Sequence, residues 1–375
     1  MARPRVLVVA GEASADRYAA RMLRALDAEV ASDAFGMGGA ELEAAGMDLL
    51  ADLRRTSAMG TTEVLPRLPR IVGAFATLCR AIAARPPDLA VLVDLPDFNL
   101  PLARRLAARR IPVLYYVGPQ VWAWRAGRLR EMARTVTRAA LVFPFEPPLY
   151  AKAGIAAEFV GHPILDDPAP SRDEARRDLA LEEGSRVVAL LPGSRPAEIR
   201  HHLPALVGAA RHLSHAFGRL VFLVPVAPSM SAPAVRSVIE DAPVDVRAAQ
   251  IPARTVLAAA DLALVATGTA TLEAARSGTP SVFFHRASVA TWAVGRTLVS
   301  VQHLSMPNIL LGRRAIPELW QWELGPARLA HEAAAILGCP AAREQQRQAM
   351  ADAVARLGSP GAAARVSAMA AELLS

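Results

Sequence analysis

Short runs of β-branched and aliphatic residues alternate along this chain with longer Ala/Leu/Arg stretches whose apolar positions recur at helical spacing. Residues 5–10 (RVLVVA) precede a helical pattern at 18–26, 89–94 precede one at 102–109, 112–117 precede one at 125–134, and 139–143 close the series. This alternation predicts a parallel sheet with crossover helices. Between 161 and 185 the sequence turns Pro-rich and polar and then enters a charged helix of poor apolar content, which reads as a linker and the first helix of a second unit. The same grammar restarts at 186 with RVVALLPGSR and continues with strands at 220–225, 244–247, 262–265 and 281–285. The parse is therefore an α/β protein with domains at 1–168 and 169–345 and a C-terminal helical segment at 346–375 that packs back on the first domain.

Composition changes this picture little. The 375 residues are 53% hydrophobic and 21% charged, a globular balance with material for a large core. Lys+Arg of 42 against Asp+Glu of 35 gives +7, which suits nucleic acid, a phosphorylated substrate or an anionic membrane face, or reflects a generally Arg-rich proteome. Two cysteines, Cys79 and Cys339, signal neither a disulfide framework nor a thiolate metal site, and a reducing cytoplasm fits. A strand begins within a few residues of the start, with no secretory pattern before it. Apolar runs are broken by Pro, Gly or charge before the roughly 18 residues that a membrane span requires, so any membrane contact is expected to be peripheral.

In open parallel sheets ligands sit off the carboxyl ends of strands, and the candidate chemistry lies there. VVAGEASAD (8–16) has the layout of a phosphate loop without its glycines. Gly11, Glu12, Ser14 and Asp16 suit hydrogen bonding to sugar hydroxyls or helix capping better than gripping an anion. LPGSRPAEI (191–199) offers a tight turn at Gly193, with Ser194 and the N–H groups of a helix start for an anion and Arg195 as a fork for phosphate. GTATLE (268–273) adds Gly268, Thr269 and Thr271 at another helix start, and Glu273 either binds sugar hydroxyls or is a first-turn dipole partner. DLPDFN (94–99) places Asp94, Asp97 and Asn99 after a strand, where two carboxylates share a proton or poise a general base, or Asp97 caps the following helix. Tyr115, Tyr116, Trp122 and Trp124, followed by Arg125, Arg128 and Arg130, form a sugar platform, a membrane-interface patch or core packing. The segment at 59–82 interleaves Leu65, Leu68, Ile71, Val72 and Phe75 with Arg67 and Arg70, the pattern of a helix that docks on anionic lipid. His201 and His202 beside Glu198 match no zinc spacing; they read as surface histidines or as a second contact beside the Arg195 loop, and no metal site is predicted.

Taken together, GEASAD, GMGG, MGTTEVL, DLPDFN, YYVGPQVWAWR, FPFE, FVGHPILD, LPGSRPAEI, GTATLE and SMPNILLGRRAIPELWQ run in order from Gly11 to Gln321 and resemble the signature blocks of the lipid-A-disaccharide synthase family. The resemblance implies a GT-B-type inverting glycosyltransferase, with two Rossmann-like domains facing across a cleft and neither metal nor cofactor. It implies a UDP-2,3-diacylglucosamine donor and a 2,3-diacylglucosamine 1-phosphate acceptor, joined as the β-1,6 disaccharide of lipid A in lipopolysaccharide synthesis, with no nucleic-acid partner. Acylated substrates imply peripheral attachment to the cytoplasmic face of the inner membrane. Carried onto this chain, Asp97 is the expected base, positioned by Asp94 and Asn99, and Arg195 with Gly193 and Ser194 neutralises the leaving UDP. Gly268, Thr269 and Glu273 hold diphosphate and ribose, and Asn308 completes the donor pocket. Ala15 stands where the family usually has glycine, which restricts the opening loop, and Gly118 and Gln120 stand where serine-type residues are commoner. The competing readings are another GT-B enzyme, such as a nucleotide-sugar epimerase or a transferase with a soluble acceptor, and a non-catalytic nucleotide-sugar binding protein at the membrane.

Overall fold

The computed structural model describes residues 3–52, 61–123, 127–226, 232–240, 242–287 and 302–375. It resolves into two compact units, Met1–Asp166 with Leu357–Ser375, and Asp167–Arg356. The first unit holds a seven-stranded sheet of β1 (Arg5–Ala10), β2 (Asp33–Gly38), β3 (Asp48–Asp52), β4 (Leu89–Val93), β5 (Val113–Tyr116), β6 (Arg138–Leu141) and β7 (Ala157–Phe159), in the order β3-β2-β1-β4-β5-β6-β7. The second holds β8 (Val187–Leu191), β9 (Val221–Pro225), β10 (Val246–Ala249), β11 (Leu262–Ala266), β12 (Ser281–His285) and β13 (Glu318–Trp320), in the order β10-β9-β8-β11-β12-β13. Every strand pairing is parallel. Helices cover both faces, so β4, β8 and β11 are buried along their whole length and read as unbroken apolar runs.

The two strand orders place the chemistry. The strand order reverses once in each sheet, at β1/β4 in the first and at β8/β11 in the second, the position at which open parallel sheets generally bind ligands. Ala10 pairs with Val93 and Leu191 with Val265, so each pair of candidate loops leaves its sheet side by side.

The sequence reading placed domain boundaries at 168 and 345. In the structure the helix Pro340–Ala355 lies wholly in the second unit, and the chain rejoins the first at Leu357. The final helix, Ala362–Leu374, buries Val366, Met369 and Ala370 and packs against Ala13–Glu29. Asp166, from the FVGHPILD block, accepts hydrogen bonds from the N–H groups of Gly361 (2.6 Å) and Ala363 (3.0 Å), capping that helix across the sequence. Arg138 completes the join by pairing with both Glu158 and Glu372.

Helix capping of this kind contributes about 1 kcal/mol. Asp166→Ala is therefore expected to lower unfolding stability by about 1 kcal/mol, read as a lower urea midpoint; an unchanged midpoint would remove the Asp166 cap from the account of how the C-terminus is held.

Candidate active site

In the first unit the β1 and β4 loops are pressed together. A Cβ built on Gly11 would lie 2.2 Å from Leu95 Cδ2, so only glycine lets the GEAS loop approach the DLPD turn this closely. The turn itself is strained: Asp94 (φ 51°) and Leu95 (φ 45°) both adopt the left-handed region without being glycine, at a cost of about 1–3 kcal/mol each. Buried groups hold it there. Asn99 Nδ2 donates to the carbonyls of Val93 (3.2 Å) and Asp94 (2.7 Å), and Tyr115 Oη donates to the carbonyl of Asp94 (2.6 Å). Pro96 then starts the helix Pro96–Ala107 at its first position.

The two carboxylates of this turn differ sharply. Burial, reinforced by the charge of Glu12, pushes the Asp94 carboxyl up to about 6, opposed by a hydrogen bond from the Leu95 N–H and by the more distant charge of Arg128. Asp97 is exposed at 73% of its side chain and pairs with Arg128, which is itself 11% exposed. Arg128 thus faces both acids; the sequence shows it only as one of three arginines flanking the aromatic cluster, with nothing to tie it to the DLPD turn.

Other first-unit candidates act on the backbone. Asp16, 4% exposed, accepts from the N–H groups of Gly39 (2.7 Å), Glu41 (3.0 Å) and Leu42 (3.3 Å), so it caps the helix Ala40–Ala44 rather than its own. Glu12, Ser14 and Ala15 stand at the start of the helix Ala13–Glu29. Ala15 lies inside this helix and 3% exposed, so alanine there meets no backbone restriction of the kind the sequence suggested. Trp122 is half-buried, donates from Nε1 to Glu146 (3.2 Å) and packs edge-on to Phe143 and Phe145. Glu146, fully buried in the FPFE block, also accepts from the Phe143 N–H (3.1 Å), and burial pushes its carboxyl up to about 7. Gly118 leaves room for the Tyr150 hydroxyl, which would lie 2.3 Å from an added Cβ, and Gln120 is exposed. Trp124 and the side chain of Leu65 lie outside the described residues.

In the helix Thr61–Ala84, Ile71 and Phe75 pack against the core and Phe75 meets Phe98 edge-on, so these two are turned inward rather than toward lipid. Leu68 and Val72 are 46% and 57% exposed. Among the described residues no helix is long and apolar enough to cross a membrane, and no cluster of three or more His, Cys, Asp or Glu side chains could hold a metal ion.

In the second unit the LPGSR loop leaves β8 with Gly193 at φ 110° and starts the helix Pro196–Phe217. The N–H groups of Ser194 (2.9 Å) and Arg195 (3.2 Å), which the sequence reading offered to an anion, donate instead to Glu198 Oε2. Arg195, 45% exposed and 3.4 Å from Glu198, supplies the positive charge that remains at the loop surface. Beside it, Gly268 caps the helix Thr269–Arg276 at φ 145°, with Gly268 and Thr269 exposed and Glu273 half-buried. Thr271 is fully buried and donates to the Gly268 carbonyl (2.8 Å), shaping the turn from within.

The Asn308 side chain is spent on the fold. It is fully buried, its Nδ2 donating to the Ile316 carbonyl and Glu318 (both 2.9 Å) and its Oδ1 accepting from the N–H groups of Ala315 (2.9 Å) and Ile316 (3.0 Å). With every hydrogen-bonding position of the amide engaged, it fastens the SMPN helix to β13.

Comparison with known proteins identifies the family and the fold. Residues 6–372 match the family described as Lipid-A-disaccharide synthetase. The chain is 45% identical to the lipid-A-disaccharide synthase of Myxococcus xanthus (strain DK1622), across 99% of this chain and 98% of that protein. Among solved structures, the calicheamicin glycosyltransferase CalG4 superposes with a TM-score of 0.62 at 16% identity, covering 100% of this chain and 99% of that one. Acinetobacter baumannii MurG gives 0.61 at 16% identity, covering 99% of this chain and 100% of that one. At such low identity these two structures speak for the fold alone. On the strength of the near-complete family match and a relative of this identity, the chain belongs to the lipid-A-disaccharide synthase family of glycosyltransferases, built on the GT-B fold.

Proposed function

We propose that this protein transfers 2,3-diacylglucosamine from UDP to the 6-hydroxyl of 2,3-diacylglucosamine 1-phosphate, forming the β-1,6-linked lipid A disaccharide and releasing UDP. The single observation that supports this most strongly is a partly buried carboxylate, Asp94, poised at about 6 by desolvation and Glu12 on a strained turn at the strand-order reversal. A general base works best when its pKa lies near the operating pH, and at neutral pH this one is ionised yet basic enough to take a proton.

In this reading the roles of the two acids are exchanged relative to the sequence expectation. Asp94 accepts the proton of the acceptor hydroxyl as oxygen O6 bonds to the anomeric carbon from the face opposite the leaving group. The bond from that carbon to the UDP oxygen breaks, and UDP departs with the electron pair. Asp97 holds Arg128, whose charge keeps Asp94 from rising further. Asn99 and Tyr115 fix the turn. On the second unit, Arg195 neutralises charge that builds on the diphosphate, while Gly268 and Thr269 allow its close approach at a helix start. Glu273 receives ribose hydroxyls.

Leu68 and Val72, with exposed Arg70 between them, support peripheral docking on an anionic bilayer, through which acylated substrates reach the enzyme. The cytoplasmic face of the inner membrane is the surface this reading assigns.

Asp94→Asn is expected to lower kcat by about 10²–10⁴-fold with UDP affinity within a few-fold, and Asp97→Asn to cost far less. Mass spectrometry of disaccharide formed from the two diacyl substrates reads both. Equal losses, or the larger loss at Asp97, would return the base to Asp97. The wild-type kcat/KM profile should fall on the acid side with an apparent pKa near 6, because protonating Asp94 removes the base. Glu12→Gln removes a charge that disfavours ionisation, so the limb should move to lower pH; no movement would separate Glu12 from the base. Replacing both Leu68 and Val72 by Ser should reduce co-sedimentation with anionic phospholipid vesicles several-fold, and unaltered binding would exclude this helix as the docking face.

A further inference from the structure

The helix behind the LPGSR loop carries a buried histidine that the chemistry above leaves unused. His202 lies in the second turn of Pro196–Phe217, is 1% exposed and packs edge-on against Phe284, ring centroids 5.2 Å apart. Its Nδ1 lies 2.6 Å from the carbonyl oxygen of Pro192, and its Nε2 lies 3.2 Å from the carbonyl oxygen of Arg286. Both partners are carbonyl oxygens, which only accept. A neutral imidazole carries one N–H, so either tautomer would aim one nitrogen lone pair at an oxygen lone pair inside the protein. An imidazolium donates from both nitrogens and satisfies both oxygens. His201, its neighbour, is exposed, so only one of the two histidines matches the surface reading of the sequence.

The two oxygens belong to the segments that carry the donor loops. Pro192 immediately precedes Gly193, and Arg286 follows β12. The neighbouring residue His285 has its Nδ1 2.9 Å from Thr267 Oγ1, which immediately precedes Gly268. The ring of His202 therefore ties the end of β8 to the end of β12, and His285 ties β12 to β11. The charged groups around this pair are Arg195 and Glu198 from the first turn of the helix and Arg286 from the strand end. Burial holds His285 below the usual histidine range, and the charges of His202 and Arg195 push it the same way against Glu198.

We propose that His202 is a positioning residue for the donor diphosphate: as an imidazolium it locks the Pro192 carbonyl, fixes the Gly193–Arg195 turn, and sets a buried positive charge behind the loop that the diphosphate approaches. This rests on assigning that loop to the diphosphate. The Glu198 carboxylate occupies the loop N–H groups, so the fixed positive charge available to a second anion comes from Arg195 at the surface and His202 beneath.

The test compares the full-length wild type with His202→Leu, His202→Gln and Arg195→Ala. In ¹⁵N-histidine spectra at neutral pH, the wild type should show one ring with both nitrogens protonated, and that signal should vanish in His202→Gln. A ring at His202 with one bare nitrogen would overturn the proposal. Calorimetric UDP binding should weaken about tenfold or more in His202→Leu. His202→Gln, which keeps one donor without charge, should fall between it and the wild type. The KM for the UDP-sugar should rise in parallel while kcat stays within a few-fold. A folded His202→Leu, verified by its thermal unfolding, that binds UDP as the wild type does would sink the inference. Arg195→Ala separates the two levels: normal UDP affinity in that variant refutes the loop assignment itself, whereas weakened affinity there with normal affinity in His202→Leu refutes only the role of His202.

Discussion

The chemistry of the first unit depends on how closely two loops approach at the point where the sheet order reverses. Strand pairing of Ala10 with Val93 brings the loops out side by side, and the missing side chain at Gly11 lets Leu95 fill the space that a Cβ would take. That approach puts Glu12 near Asp94 and partly desolvates the latter. Two carboxylates in one low-dielectric corner do not ionise independently, and the more buried one is driven upward. Asp94 owes its raised pKa to the close packing of two uncharged residues, Gly11 and Leu95, which are the chain neighbours of Glu12 and Asp94.

The second unit solves the opposite electrostatic problem. On the reading proposed above, the LPGSR loop has to concentrate positive potential for a diphosphate without unfolding when the anion leaves. Glu198 satisfies the N–H groups of the turn from within, so the loop keeps its shape without a ligand. Its contact with the Arg195 guanidinium is long, 3.4 Å, and partly exposed. Such pairs contribute about 0–1 kcal/mol, less than the charge-assisted forks that Arg makes with phosphate, so on that reading this contact is a weak competitor for the guanidinium.

Much of this architecture is legible in the sequence, and the gaps have physical causes. The runs at 5–10 and 281–285 are strands over just those residues, because central strands covered on both faces must be apolar throughout. The strands β2, β3, β7 and β13 escaped notice, being short or interrupted by glycine and acids: DAFGMG, DLLAD, AEF and ELW show no apolar run to read. At the candidate site, residue types drew attention to these strand-end loops, but the contrast between a largely enclosed Asp94 and an exposed Asp97 shows only in the structure. The left-handed backbone at Asp94 and Leu95 has no glycine to announce it. For His202, the spacing from Ile199 and to Leu206 puts it on the apolar face, but the residue type, beside a second histidine, reads as surface.

The same burial separates two kinds of motif. Asp16 fastens the GMGG block, Glu146 the FPFE turn, Asp166 the C-terminal helix, and Asn308 with Glu318 the SMPN helix, each by spending a carboxylate or amide on backbone N–H groups. A side chain so engaged cannot also bind substrate without leaving buried donors unsatisfied, a loss of about 1–3 kcal/mol for each. These blocks therefore read as clamps. The groups suited to chemistry are the ones at strand ends with exposed or perturbed polar atoms, Glu12, Asp94 and Arg128 in one unit and Arg195 and Thr269 in the other. Rigid clamps beside each reactive loop are what allow strain at Asp94 to persist: a looser frame would relax Leu95 out of the left-handed region and let water reach the carboxylate, returning it toward an ordinary, weaker base.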